Sequence, residues 1–384
     1  MLEACSICPH NCGNNRLKDE IARCYSGRLP VVSSYTVHFG EEPGLVGTRG
    51  VGNIFFGNCN LRCVYCQNFL ISQNHREEKK NEVRIEQLAE MMLELQGRGC
   101  HEIGFVSPTH FVPQIVAAVE MAAAGGLELP LIYNTNAYDS IDVLRLLDGI
   151  VDIYLPDLKY TDEEMGYLYS RVKNYPAHAR AAIKEMHRQV GSELVLGEDG
   201  LVKRGLIIRH LVLPNDLAGS KESLSWIKEE LGPDTALSLM SQYFPTHKAE
   251  TTPLLDRKIR QSEYERVLAY LDALHRPRIR CAMMFACTSD VPPAIAPTRD
   301  QRNACCQRPS SSARAEPTSR GRKYVPPESG TRPIFANACT KLAERPASTM
   351  SQASARFAPA PAATPFTAHT TGLSSARSRR TSGL

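Results

Sequence analysis

The sequence predicts an α/β protein whose core is an open (β/α)6 barrel of six parallel strands. Six short apolar runs alternate with segments of helical periodicity, and most of the runs are continuous rather than alternating. Continuous runs are expected for parallel strands that helices cover on both faces. The runs lie at residues 52–56, 103–107, 129–134, 151–156, 206–213 and 236–241.

Helices are predicted between these runs. In the first of them, Ile85, Leu88, Ala89, Met92 and Leu95 recur at helical spacing, and glycines follow at 97 and 99. The other predicted helices cover about 113–124, 139 or 140 to 147, a segment from 161, 176–190, 219–231 and a segment from 262. The alternation of strand and helix predicts right-handed βαβ units and hence one parallel sheet.

Three cysteines follow the first apolar run directly. Cys59, Cys63 and Cys66 have the spacing C-x3-C-x2-C. Three thiolates suit an iron–sulfur cluster, which ordinarily takes four, so one iron would keep an open position for a substrate or cofactor. The alternatives are a zinc site, for which the next histidine is His75 beyond a polar loop, and a disulfide with a spare thiol.

This cysteine spacing, with Tyr65 before the third cysteine, resembles the signature of the radical S-adenosylmethionine (SAM) superfamily. The resemblance implies a partial (β/α)6 TIM-like barrel and a [4Fe-4S] cluster on Cys59, Cys63 and Cys66. It also implies that SAM chelates the open iron. An electron from the reduced cluster then splits SAM and yields a 5′-deoxyadenosyl radical.

Polar residues follow the later predicted strands, where parallel barrels place their sites. The candidates at these strand ends are Thr109, His110, Asn134, Asp157, Lys159 and Arg209. The ammonium of Lys159 suits a carboxylate and Asp157 can orient it, whereas Arg209, inside an apolar strand, requires an acidic partner. The structural alternatives are a hydrogen-bonded histidine, plain turn chemistry at Asn134 and ion pairs among the charged residues.

In this order, these segments resemble uncharacterised iron–sulfur homologues of pyruvate formate-lyase activating enzyme, over residues 5 to about 275. The resemblance implies that SAM is seated by Tyr65, Thr109, Asn134, Asp157, Lys159 and Arg209. Two segments depart from the pattern. A Gly-Gly-Glu-type segment is absent at 107–110, and Asn134 replaces an acid.

The same resemblance implies hydrogen abstraction from a glycine of a glycyl radical protein, with a reductant such as flavodoxin or ferredoxin. Two alternatives remain open. One is a radical SAM enzyme that acts on a small molecule. The other is a non-catalytic protein that binds an iron–sulfur cluster or zinc, and it predicts closed coordination without SAM turnover.

A second cysteine group lies in the N-terminal segment, residues 1–50. Cys5, Cys8, Cys12 and Cys24 have the spacing C-x2-C-x3-C-x11-C in a polar stretch too short to bury a core. Small units of this kind usually need a metal to fold. Four thiolates suit zinc or a second iron–sulfur cluster, and His10 could replace one of them. The alternative is a set of free thiols.

Composition divides the chain further, into a core at 51–275 and a tail at 276–384. The tail has 17 Lys and Arg against 5 Asp and Glu, whereas the rest has 28 against 36 and is net negative. The folded part is therefore not expected to bind nucleic acid. The tail contains 13 of the 25 prolines and no sustained apolar period, which predicts disorder. Another hypothesis is that the tail is a frameshifted reading of the gene.

The sequence does not predict membrane association or secretion. It contains no apolar run long enough to span a bilayer, and the first residues lack the basic and apolar regions of a signal peptide. Thirteen cysteines without such a signal favour the reducing cytoplasm.

Overall fold

The computed structural model describes residues 1–274 and contains one sheet of eight strands in this part of the chain. The strands are β1 (Val32–His38), β2 (Val51–Phe56), β3 (Ile103–Val106), β4 (Leu131–Thr135), β5 (Ile153–Pro156), β6 (Val195–Leu196), β7 (Val202–Leu211) and β8 (Ala236–Met240).

Six of the strands are parallel, in the order β2, β3, β4, β5, β7, β8. Each corresponds to one predicted apolar run, with ends that agree within a few residues. The ladder places Gly52 beside Ile103 and Ile103 beside Leu131, so neighbouring strands begin at nearly the same level. Their carboxyl ends consequently open on one side of the sheet. The predicted fold class, a partial (β/α)6 barrel, is confirmed.

Two antiparallel strands were not predicted. β1 pairs with β2, and the two-residue β6 pairs with β7. Only Val32 of β1 is buried, and the other side chains are partly or fully exposed, so the strand has no continuous apolar run. Because β1 belongs to the sheet, the sheet begins within residues 1–50, before the predicted start of the core at 51.

Ten α-helices connect and cover the strands in the described part of the chain. They are α1 (Pro43–Val46), α2 (Phe69–Ser72), α3 (His75–Glu78), α4 (Ile85–Gly97), α5 (Val112–Ala124), α6 (Ile141–Leu146), α7 (Glu163–Ser170), α8 (Tyr175–Val190), α9 (Ser220–Leu231) and α10 (Gln261–Leu274). As the periodicity predicts, α4 buries Leu88, Ala89, Met92 and Leu95, which pack in one apolar cluster with Phe105 of β3.

The predictions for residues 276–384, disorder or a frameshifted reading, lie outside the described residues. Among the described helices, none combines the length and the apolar character that crossing a bilayer requires.

Gly57, at the end of β2, provides a test of how closely the site is packed. A Cβ atom there would lie 2.6 Å from Cγ1 of Val31 and 2.6 Å from Oε2 of Glu78. Val31 is buried and β-branched, so its side chain has little freedom to move. We expect Gly57→Ala to lower the free energy of unfolding by about 1–3 kcal/mol in chemical denaturation.

Gly97, the last residue of α4, is the matched control. Nothing lies within 4 Å of a Cβ built there. Gly97→Ala should leave stability unchanged or raise it by up to about 1 kcal/mol. Equal stability of the two variants would contradict the close packing at Gly57.

Candidate active site

The cysteine loop follows β2 and is fixed by its backbone. Asn58 and Arg62 have left-handed φ angles of 67° and 61°, which turn the chain sharply on both sides of Cys59. The amide of Val64 donates to the carbonyl of Tyr169 at 2.8 Å, and the amide of Asn58 donates to Ile71 at 2.8 Å. The loop is therefore held between α2 and α7.

A hydroxyl or amide group lies beside each sulfur of this loop. The amide of Leu61 donates to Sγ of Cys59 at 3.3 Å, and the Ser170 hydroxyl donates to Sγ of Cys63 at 3.0 Å. Sγ of Cys66 hydrogen-bonds with the hydroxyl of Ser72 at 3.1 Å. Hydrogen bonds to sulfur stabilise thiolates and tune iron–sulfur clusters, so this donor set fits a cluster with three protein ligands.

Without a metal, burial keeps two of these thiols, those of Cys63 and Cys66, protonated. Burial raises the pKa of Cys63 to about 12, although Lys159 and Ser170 act in the opposite direction. Burial also raises the pKa of Cys66. Binding of a cluster must therefore release protons, and loading should be favoured by higher pH.

The alternatives for this loop can be compared with the geometry. All eight cysteines of the described residues are free, so no disulfide forms there. Within residues 1–274 no three Cys, His, Asp or Glu side chains converge as they would around a single ion. Tetrahedral zinc would bring sulfurs within about 4 Å of one another, whereas a cubane binds each thiolate at a separate iron. The three cysteines of this loop suit a cluster, and the choice between a cluster and zinc stays a prediction.

Asp157, Lys159 and Arg209 form one buried charge network at the carboxyl ends of β5 and β7. Nζ of Lys159 lies 2.9 Å from Oδ2 of Asp157, and Nε of Arg209 lies 2.8 Å from Oδ1. All three side chains are less than a fifth exposed. The acidic partner that Arg209 requires is thus Asp157, the strand-end acid.

The charge state of this network follows from its geometry. Burial alone would raise the pKa of Asp157, but Arg209 and Lys159 outweigh it and hold the pKa at about 2. Burial would lower the pKa of Lys159, but the carboxylate of Asp157 raises it overall. Lys159 is therefore a permanent cation between the acid and the cysteine loop.

Glu41, in the loop before α1, is a member of the network that sequence reasoning missed. One of its oxygens lies 3.6 Å from Nη1 of Arg209, and the other accepts from Nδ2 of Asn53 at 2.7 Å and lies 3.1 Å from Nδ1 of His38. Burial would raise the pKa of Glu41, but His38 and Arg209 lower it overall. The apolar setting of Arg209 indicated a need for acids, but nothing indicated this one.

Thr109 lies in an internal hydrogen-bond network. Its hydroxyl is 3.0 Å from that of Thr135, which donates to Asp139 at 2.6 Å, and Tyr133 donates to the same carboxyl at 2.8 Å. Burial raises the pKa of Asp139. A structural role thus accounts for Thr109, and its contact with SAM stays a prediction.

Asn134 and His110 differ in whether their side chains are free to bind a ligand. Asn134 is 7% exposed at the end of β4, and its amide side chain makes no hydrogen bond to any described residue. It can therefore serve a ligand. His110 is buried, and its Nε2 is 2.9 Å from the carbonyl of Gly57, which supports the start of the cysteine loop.

Tyr65 lies in the core rather than on an open surface. Its ring is 5% exposed and packs edge-on against Tyr160 and Tyr243. This packing anchors the loop between Cys63 and Cys66. A role of Tyr65 toward SAM stays a prediction.

Asn136 is the second residue that sequence reasoning missed. Its amide nitrogen donates to Oδ1 of Asn60 at 2.8 Å and lies 3.6 Å from Sγ of Cys59. A signal was present, because residues 134 and 136 follow one another at the spacing that puts strand side chains on one face. Ser170, the donor to Cys63, comes from α7 and gave no such signal.

The N-terminal cysteines also come together. One pocket is lined by Cys5, Cys8, Cys12 and Cys24, and the segment that carries them packs on the cysteine loop. The structure thus places both predicted cysteine groups next to each other.

Comparison with known proteins gives the family. The family model of the radical SAM superfamily matches residues 53–197. Uncharacterized protein MJ0674 of Methanocaldococcus jannaschii is 30% identical over 270 residues, which are 69% of this chain and 73% of that protein. The chain belongs to the radical SAM superfamily, which implies a [4Fe-4S] cluster and SAM as its cofactors.

Solved structures give more distant likenesses. Native anSMEcpe with bound AdoMet has a TM-score of 0.43 at 14% identity, over 60% of this chain and 63% of that one. HydG, a maturase of the [FeFe]-hydrogenase, has a TM-score of 0.39 at 9% identity, over 58% and 48%. This chain thus spans about half the length of HydG.

Asp157→Asn tests the charge network. The amide leaves Arg209 and Lys159 without their shared counter-ion, so we expect a loss of about 3–5 kcal/mol in the free energy of unfolding at pH 7. The folded pKa of Asp157 is below its unfolded value of about 3.9, so its contribution is complete above that pH. The difference between the two proteins should shrink as the pH falls through about 2.

Asp148→Asn is the matched control. Asp148 pairs with Arg188 at 3.0 Å on the exposed surface, where such pairs contribute less than about 1 kcal/mol. Chemical denaturation at several pH values measures both variants. A loss at Asp157 no larger than that at Asp148 would contradict the network.

Proposed function

We propose that this chain is a radical SAM enzyme of the activating type, which abstracts hydrogen from a glycine of a partner protein. One observation supports the chemistry above all. Three thiols supported by hydrogen bonds lie on one loop, and the permanent cation Lys159 lies close enough to Cys63 to alter its pKa. When bound, the cluster and SAM supply reductive cleavage to a 5′-deoxyadenosyl radical.

Cys59, Cys63 and Cys66 would hold the cluster. Ser170, Ser72 and the amide of Leu61 would then direct hydrogen bonds at the three sulfurs and fix their positions. The loop supplies three thiolates and a cubane cluster takes four ligands, so one iron would be left for SAM.

The SAM carboxylate would be bound by Lys159. This ammonium keeps its charge because Asp157 holds it from the other side at 2.9 Å. Arg209 is already engaged by Asp157 and Glu41, so it would position Asp157 rather than contact SAM. Asn134, whose amide has no partner among the described residues, would hydrogen-bond to the nucleoside part of the cofactor.

Two classes of substrate are compatible with the site. The order of strand-end residues favours a glycine backbone, as in activating enzymes, with flavodoxin or ferredoxin as reductant. The absent Gly-Gly-Glu-type segment and the amide at Asn134 support a small-molecule substrate instead. We favour a glycine backbone as the substrate. We also propose a reducing compartment such as the cytoplasm, because all cysteines of the described residues are free.

Anaerobic SAM cleavage tests the chemistry. The full chain, reconstituted with iron and sulfide and reduced with dithionite, should convert SAM to 5′-deoxyadenosine. Cys59/Cys63/Cys66→Ala should form none, because it lacks the cluster ligands. Cys100→Ser, which alters a buried thiol elsewhere in the described fold, should retain the activity.

The negative outcome is equally informative. The wild-type protein could load iron but form no 5′-deoxyadenosine, with a paramagnetic spectrum that does not change when SAM is added. That result would contradict the enzyme and support a non-catalytic iron–sulfur protein. Product formation in the triple alanine variant would show that these cysteines do not hold the catalytic cluster.

Isotope transfer distinguishes the substrates. Proteins from source cells grown on α-deuterated glycine are separated from small molecules and incubated with the enzyme and SAM. Deuterium in the 5′-deoxyadenosine is expected if a glycine carbon supplies the hydrogen. Deuterium-free product that forms only when the small-molecule fraction is added would contradict the activating role.

A further inference from the structure

The pocket at the N-terminus brings four thiols together from two turns of the chain. The amide of Cys5 donates to the carbonyl of Asn14, and the amide of Gly13 donates to that of Cys5, both at 2.9 Å. This closed turn places Cys5, Cys8 and Cys12 around one pocket, and Cys24 lines the same pocket. Cys5 and Cys8 are buried, whereas Cys12 is exposed.

A buried cation faces this pocket without a counter-ion. Arg16 is 1% exposed and lines the pocket. Its Nε donates to the carbonyl of Gly27 at 2.9 Å and its Nη1 to that of His110 at 2.6 Å, but its Nη2 has no hydrogen-bond partner. Within residues 1–274 no carboxylate forms an ion pair with it.

Such a cation is costly unless an anion joins it. A buried guanidinium without a paired charge destabilises a fold by several kcal/mol. Neutral thiols do not offset this cost, but thiolates bound to a metal do. Four thiolates on zinc carry a net charge of about −2, and an iron–sulfur cluster with four thiolates is also an anion.

We propose that Cys5, Cys8, Cys12 and Cys24 hold an anionic metal–thiolate centre and that Arg16 neutralises its charge. Both an iron–sulfur cluster and zinc have this chemistry. In residues 1–274 the sulfurs do not converge on a single point, so metal binding would require Cys12, which is exposed, to move toward the other three thiols. His10 donates from Nε2 to the carbonyl of Asn60 at 2.9 Å, which leaves its Nδ1 available to replace one of the thiolates.

The centre would also support the catalytic loop. His10 hydrogen-bonds to Asn60, between Cys59 and Cys63. Arg16 donates to the carbonyl of His110, whose ring bonds to Gly57 at the start of the same loop. Two chains of contacts therefore connect the pocket to the loop. Loss of the N-terminal metal should loosen the position of the first cluster.

Metal content tests the proposal independently of activity. The full chain with Cys59/Cys63/Cys66→Ala is purified and reconstituted anaerobically, and iron, sulfide and zinc are measured. About four iron and four sulfide per chain would establish a cluster, and about one zinc would establish a zinc site. Further change of Cys5, Cys8 and Cys24 to serine should remove that metal, whereas Cys100→Ser should not.

Either metal supports the proposal, and its absence overturns it. Neither iron nor zinc in the triple alanine variant, or metal that survives the three serine substitutions, would show that the N-terminal thiols bind none. Because the first cluster is missing from both variants, this outcome does not depend on SAM chemistry.

Arg16→Gln tests the charge. The variant should release its N-terminal metal to a chelator at least tenfold faster than the wild type, because the anionic centre loses its counter-ion. Its melting temperature with metal bound controls for damage to the fold. Equal rates of release in two folded proteins would overturn the role of Arg16.

Discussion

The pairing of Asp157 with both Lys159 and Arg209 is the constraint on which the candidate site depends. These charges are mostly buried, and each would be costly alone. Together they compensate one another, and Glu41 extends the network to the loop before α1. The network thereby connects the ends of β5 and β7 to β1 and β2, because Glu41 also contacts His38 and Asn53. It also keeps the ammonium of Lys159, which lies near the cysteine loop, charged.

The cysteine loop depends on the opposite principle. Hydroxyl and amide groups surround its sulfurs, and burial raises the pKa of Cys63 and Cys66, so these two thiols stay protonated until a metal takes the place of the protons. Ser170, Ser72 and Asn136 come from three different elements, yet each contacts one sulfur or its neighbour. The fold thus prepares the ligand positions, and the cluster completes the charge balance beside Lys159.

The sequence was most informative where one residue type leaves few alternatives. Continuous apolar runs predicted the six parallel strands, because strands that are covered on both faces admit few polar side chains. Arg209 in such a strand correctly indicated a buried acid. β1 was missed because its exposed face is polar, and Glu41 and Ser170 were missed because their roles arise from contacts across the fold. Such contacts leave no periodic trace in the chain.

The contacts between residues 1–30 and the core have a consequence for biosynthesis. Arg16 contacts His110, 94 positions later, and Arg23 donates to Ser170, 147 positions later. These residues are synthesised well before their partners, and contacts of high sequence separation form slowly. We therefore expect the thiols of Cys5, Cys8, Cys12 and Cys24 to be open to oxygen and to other metals until these partner segments have been made. Heterologous expression should give more homogeneous protein when oxygen is excluded during synthesis, and not only during purification.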